Sequence, residues 1–150
     1  MDGVFNTAKG RAAYYATLPA ADDSLIVVLL KADGLEADDT LNNHATLAAI
    51  LASANAEADF TNYVRKTLAS ITVTVDDTNN RVDVDAADFT YAAAGGASNN
   101  TLGKLIICYK PASGSTDADI IPLTYHDFTA TTDGSDLVAQ VAAAGFYRAA

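Results

Sequence analysis

The stretch that decides the fold covers residues 73–85 and reads Val73-Thr-Val-Asp76-Asp-Thr-Asn-Asn-Arg81-Val-Asp-Val-Asp85. On both sides of a central Asp, Thr and Asn group, valines alternate with polar residues, as in strands that bury one face. Asx side chains bond to their own backbone and so favour turns, which places the connection in the centre. We predict a β-hairpin with one apolar face and one charged face.

Other apolar runs of strand length predict sheets around this hairpin. Residues 25–30 and 102–110 are the expected central strands. Shorter strands are expected at residues 63–68, 89–91, 119–125 and 127–130. Pro122 indicates an edge or a bulge, and residues 137–144 fit either a helix or a strand. The chain is therefore predicted to be mainly β, an antiparallel β-sandwich or a jelly-roll-like barrel.

One short accessory helix is predicted at about residues 46–54. Three apolar side chains form a stripe at helical spacing: Leu47, Ile50 and Leu51. Asn42 or Asn43 is the expected N-cap, and Asn55 the expected end.

The N-terminal region is harder to predict. Residues 8–18 form either a short helix that ends before Pro19 or part of an extended arm, which would cover residues 1–24. The 150 residues fit one domain, so we expect a single β-rich structural domain from end to end.

Composition excludes several classes of function. The chain carries 19 acidic and 9 basic residues, a net charge of −10, and its basic residues are scattered. Nucleic acids and anionic membranes are therefore not expected partners. The first residues lack the layout of a signal peptide, and the longest apolar run is too short to cross a bilayer. We expect synthesis in a cytoplasm.

Few side chains suit catalysis. The chain has two histidines and one cysteine, and Cys108 lies in an apolar run, where it acts as a small hydrophobe. His126 and Asp127 are neighbours in a predicted strand and therefore point to opposite faces. No nucleophile motif is present. We expect neither enzymatic activity nor a cofactor.

A calcium site is the one metal hypothesis the sequence offers. Its ligands would be the acids of the hairpin: Asp76, Asp77, Asp83 and Asp85, with Asp88 close by. The spacing is not that of an EF-hand. We favour the alternative, a turn followed by a solvated strand face.

Aromatic residues near both ends of the chain are candidates for subunit contacts. They are Phe5, Tyr14, Tyr15, Phe146 and Tyr147. The alternative is that they tie down the two ends of the chain.

Three segments together resemble small virion structural proteins of tailed bacteriophages. They are Phe60-Thr-Asn-Tyr-Val-Arg-Lys-Thr-Leu68, the hairpin 73–85, and Asn99-Asn-Thr-Leu-Gly-Lys-Leu-Ile-Ile-Cys-Tyr-Lys110. The resemblance covers roughly the last two thirds of the chain, and the hairpin is its most specific part. It carries over no catalytic residue.

The resemblance implies a capsid decoration or cement protein that binds outside the major capsid protein shell and bridges capsomers. It implies a homo-oligomer, with a trimer favoured, located on the capsid exterior after synthesis in a host bacterial cytoplasm. An acidic surface suits the outside of a DNA-filled shell. One alternative is a neck, tail or fibre-associated component, and another is a calcium- or glycan-binding β-sandwich module.

Overall fold

Two long strands form the centre of the protein in the computed structural model, which describes all 150 residues. Strand β2 (Ser24–Lys31) is buried from residue 25 to residue 30, and β7 (Thr101–Lys110) is buried along most of its length. They pair antiparallel, with Val28 opposite Ile106. Each fully buried Leu, Ile or Val contributes about 1.5–3 kcal/mol, so this pair anchors the core. Both predicted central strands are confirmed.

The remaining strands complete three antiparallel sheets. The strands are β1 (Gly3–Val4), β3 (Lys66–Thr67), β4 (Thr72–Asp76), β5 (Arg81–Asp85), β6 (Phe89–Tyr91), β8 (Ile121–Thr131), β9 (Leu137–Ala139) and β10 (Tyr147–Ala149). The main sheet has the order β1-β8-β7-β2-β3, a second sheet the order β10-β5-β4, and β6 pairs with β9. We call the second of these the hairpin sheet.

Buried apolar residues from all three sheets belong to one core cluster. The hairpin sheet contributes Val84, and the small sheet contributes Tyr91 and Ala139. No sheet closes on itself. The chain is therefore mainly β with a β-sandwich-like fold, as predicted, and the jelly-roll-like barrel is not the form it takes.

The hairpin is formed in the predicted register. Val73 lies opposite Val84, and Val75 opposite Val82, so the valines share one face. That face is only partly covered, because Val84 is fully buried whereas Val75 is 66% exposed.

Strand β8 is one continuous strand where two were predicted. Its register against β7 shifts beside Pro122, which lies opposite Cys108. Proline has no N–H to give to a ladder, and a bulge accommodates it. The bulge predicted from Pro122 is confirmed.

Three short α-helices are present: α1 (Ala12–Ala16), α2 (Asp38–Leu41) and α3 (Leu47–Leu51). The predicted accessory helix is thus α3, but its expected caps were wrong. Thr46 is the N-cap, and its hydroxyl accepts the Ala49 N–H. The helix ends early because Ser53 and Asn55 side chains bond to the Ile50 carbonyl, and such side-chain bonds compete with the helical ladder.

The N-terminal region is not a free arm. Phe5 is fully buried, its N–H donates to the Leu123 carbonyl, and its ring meets Tyr125 edge-on at 5.3 Å. A 3-10 turn (Asn6–Ala8) and α1 follow, so of the two alternatives predicted for this region the short helix is the correct one.

One strand prediction needs correction, and one segment with two predicted alternatives begins as a strand. Residues 63–68 form only the two-residue β3, because the preceding backbone turns at Asn62, where φ is 70°. The segment 137–144, left open between helix and strand, begins with β9. Strand β10 was not predicted. No helix is long and apolar enough to cross a bilayer.

Candidate interaction surface

The acids of the hairpin have separate structural tasks. The Asp76 carboxylate accepts hydrogen bonds from the backbone N–H of Asn79 at 3.1 Å and from its side-chain amide at 2.7 Å. These bonds keep the pKa of Asp76 below its ordinary value. Asp76 therefore closes the four-residue turn.

Asp83 lies between two arginines. Arg81 Nε is 3.0 Å from its carboxylate, and Arg148, opposite it on β10, donates to its other oxygen. The bond from Arg148 lowers the pKa of Asp83. Arg81 Nε is also 3.1 Å from Asp76, so Asp76 and Asp83 are both paired with arginine.

The remaining calcium candidates do not converge on them. Asp85 accepts the N–H of Ala86, and Asp88 accepts the N–H of Val141. No group of three or more His, Cys, Asp or Glu side chains is arranged to hold a metal ion. The geometry matches the interpretation of these acids as a turn and a strand face.

The five aromatic candidates divide into buried, half-buried and exposed. Phe5 is fully buried in the chain's own core, so it is not available to a subunit, whereas Tyr14 is 60% exposed. Tyr15 is stacked on Tyr109 at 4.5 Å. Phe146 and Tyr147 are half-buried against the core. Most of this set therefore ties down the chain ends.

Sequence reasoning missed the most exposed apolar part of the hairpin. Val75, Val82 and Ala149 lie side by side in one row, as the strand registers specify. With Ala150 they form the apolar half of the lining of a shallow depression of about 390 Å³, whose other half is polar residues at the turn, and we call these four apolar residues the hairpin ledge. The sequence did contain a signal for this surface, because the valine pair next to the turn, Val75 and Val82, lies furthest from the core.

The outer edge of β4 is unpaired. Strand β4 is the last strand of its sheet, and Thr72, Thr74 and Val75 are exposed along it. A free strand edge offers a row of backbone donors and acceptors to another chain. The hairpin ledge and this edge together form the candidate interaction surface.

A groove of about 400 Å³ opens between the main sheet and the C-terminal segment. Apolar side chains line most of it, including Leu105, Ile107 and Phe146. His126 also faces it, 2.9 Å from the Thr124 hydroxyl, and burial lowers the pKa of this histidine.

The hydroxyl that accompanies His126 in the groove is that of Thr124, a residue that is almost fully buried. Asp127, the neighbour of His126 on β8, bonds to Lys104. Cys108 is fully buried, and burial raises the pKa of its thiol. A buried thiol is not reactive, so the arrangement offers no covalent catalysis at this cysteine.

Lys104 is the only buried ionised side chain of the main sheet. Its Nζ lies 2.8 Å from Asp38, bonds to Asp127, and sits 5.3 Å from the centre of the Tyr125 ring. Burial opposes the charge, but the bonds to Asp127 and Asp38 raise the pKa of Lys104. This network ties α2 to the sheet.

Arg65 ties two loops to the main sheet in the same way. Its guanidinium bonds to both carboxylate oxygens of Glu57 and to both of Asp117. These bonds raise the pKa of Arg65, while Tyr63 donates to Glu57 at 2.8 Å. Bidentate pairs of this kind fix geometry as well as charge.

Comparison with known proteins found no match among family models, curated proteins or solved structures.

Proposed function

We propose that this chain is a virion structural protein, a capsid decoration or cement protein of a tailed bacteriophage. Its partner is the major capsid protein, and its place is the outer surface of the shell. Each copy bridges adjacent capsomers and stabilises the shell by mass action, since a partner that binds only the assembled state favours that state.

The hairpin is the observation that carries the proposal. It is the most specific part of the resemblance. In the structure, its polar residues bond to one another and hold the hairpin together. Asp76 closes the turn through Asn79, and Arg81 lies between Asp76 and Asp83. A motif with this role fits a protein that works through its shape and surface.

The charge and the exposed surface add support. A net charge of −10 suits the exterior of a DNA-filled shell, because packaged DNA would repel it from the interior. The hairpin ledge and the free edge of β4 lie on the same sheet. They provide the apolar contact and the backbone groups that pairing with another protein chain needs, whether that chain is a second copy or a different protein.

The test is deletion of the gene from the phage that encodes the chain, with restoration in trans as the control. We expect complete virions to contain the protein in a copy number that scales with the major capsid protein. Deletion virions should release their DNA at lower temperature, and added purified protein should restore their heat resistance. Absence of the protein from virions would overturn the proposal.

Other outcomes identify the alternatives. A copy number matching a single ring at one vertex would replace decoration with a neck or tail role. Calcium-dependent melting of the purified chain, or its retention on a glycan array, would favour a calcium- or glycan-binding module.

A further inference from the structure

The outer edge of β4 lacks the features that usually protect an edge strand. Its sequence, Thr72-Val-Thr-Val-Asp76, contains no proline and no lysine, and its first four residues are all β-branched. Five residues of regular strand therefore lie with one side unpaired. Natural proteins normally shorten, charge or bulge such an edge to prevent pairing with another chain.

The other free edges are protected. In the main sheet, β1 and β3 are two residues long, and β3 carries Lys66. Strand β10 has three residues with Arg148 at its centre. Strands β6 and β9 are also three residues long. Strand β4 is thus the longest of the strands that end a sheet, and it carries neither a basic residue nor a proline.

We propose that this edge pairs antiparallel with β4 of a second copy of the chain, across a twofold axis at Thr74. In that register Thr74 faces its own counterpart, Val73 faces Val75, and Thr72 faces Asp76 of the other copy. Outward backbone groups alternate along a strand. In this register residues 73 and 75 pair with each other, and residues 72, 74 and 76 pair among themselves. A residue whose N–H and C=O point out of the sheet therefore always faces another residue of the same kind.

The charges are compatible with this register. Asp76, the only ionisable residue of β4, lies opposite Thr72 of the second copy, so no two carboxylates face each other. Within each copy, Thr74 lies beside Asp83, which is paired with Arg148. The row that crosses the twofold axis therefore carries no net charge. Directly opposed threonines also form favourable cross-strand pairs.

The apolar face becomes continuous in the same register. The row of Val75, Val82 and Ala149 in one copy continues into the Val73 row of the other, which includes Val84 and Tyr147. Val75, 66% exposed in the single chain, gains an apolar neighbour. Because a strand of this length spans only about 17 Å, the contact is smaller than a permanent interface and the dimer is reversible.

A twofold contact of this kind closes at two copies, which differs from the trimer that the resemblance implies. The inference rests on the edge of β4 alone and holds whether or not the chain is a virion protein. A negative result for the dimer leaves the virion experiment unaffected, and the reverse is also true.

The first test is sedimentation of the purified full chain over a range of concentrations, beside two variants. Val75→Lys places a charge on the edge. Val138→Lys is the matched control, because Val138 is 51% exposed on another sheet and the charge change is identical. We expect the unmodified chain and Val138→Lys to dimerise, and Val75→Lys to associate at least about tenfold more weakly. Higher salt should strengthen the dimer, because two chains of the same net charge repel each other.

The second test locates the axis by oxidation of introduced cysteines. Directly opposed residues have Cβ atoms about 4.5–5.5 Å apart, within reach of a disulfide. Thr74→Cys should therefore cross-link two chains, whereas Thr72→Cys, four residues from its own counterpart, should not. The native Cys108 is buried, so in the folded chain it does not take part in the cross-linking.

Three results would overturn the proposal. They are a monomer at every concentration, equal weakening by Val75→Lys and Val138→Lys, and equal cross-linking of Thr72→Cys and Thr74→Cys. Stronger association at low salt would also contradict it.

Discussion

The main sheet and the hairpin sheet of this protein differ in how deeply their strands are buried and in how their edges are protected. In the main sheet, β2 is buried along six consecutive residues. The two edge strands of that sheet, β1 and β3, are only two residues long. In the hairpin sheet, β4 has no fully buried residue and its outer edge is open. Stability is therefore concentrated in one sheet and available surface in the other.

The largest expected effect tests this division directly. Leu29→Ala removes a fully buried side chain and should lower the free energy of unfolding by about 3 kcal/mol, from lost burial and the cavity left behind. Val75→Ala should change it by less than about 0.5 kcal/mol. Denaturant titration measures both, and similar losses in the two variants would break the comparison.

A second pair of variants compares the arginines of the two sheets. Arg65→Ala leaves Glu57 and Asp117, which share its guanidinium, without their partner, and should cost about 2 kcal/mol. Arg148→Ala removes a side chain that is 40% exposed, and solvent screening makes that loss of stability smaller. Thermal unfolding gives the order, and a larger loss for Arg148→Ala would contradict it.

The smallest effect is a difference in acid sensitivity. Bonds from Lys104 lower the pKa of Asp127 to about 2 and also lower that of Asp38. An unfolded Asp titrates near pH 3.9, so the stability these pairs contribute is complete above about pH 4 and is lost as the pH falls toward 2.

Unfolding curves at several pH values measure this dependence. Lys104→Met should flatten the profile between about pH 4 and pH 2 more than Arg148→Met does, because Lys104 is 5% exposed and Arg148 is 40% exposed. Equal flattening would indicate that the two sheets share the acid response.

The parts of the fold that the sequence predicts are those with a local pattern. The central strands follow from unbroken apolar runs, and the hairpin follows from alternation around an Asx-rich turn. Helix α3 was placed correctly but made too long, since its end depends on the Ser53 and Asn55 side chains bonding to Ile50. Such competition is not visible in periodicity.

The candidate interaction surface was harder to predict because it depends on contacts between distant residues. Strand β10 is three residues long, too short for its alternation to identify it, yet its Arg148 pairs with Asp83, 65 positions away. That pairing forms the hairpin ledge, since Ala149 comes to lie beside Val82. The burial of Phe5 under Leu123 and Tyr125 is likewise a long-range contact, and it favours the alternative that this residue ties down the chain end.

The burial of Cys108 gives the protein a built-in reporter of its own motions. The only thiol of the chain lies fully buried on β7, between β2 and β8. A thiol reagent reaches it only when the main sheet opens, so the rate of labelling under native conditions measures the free energy of that opening. The hairpin sheet carries no such group, and its fluctuations should leave this rate unchanged.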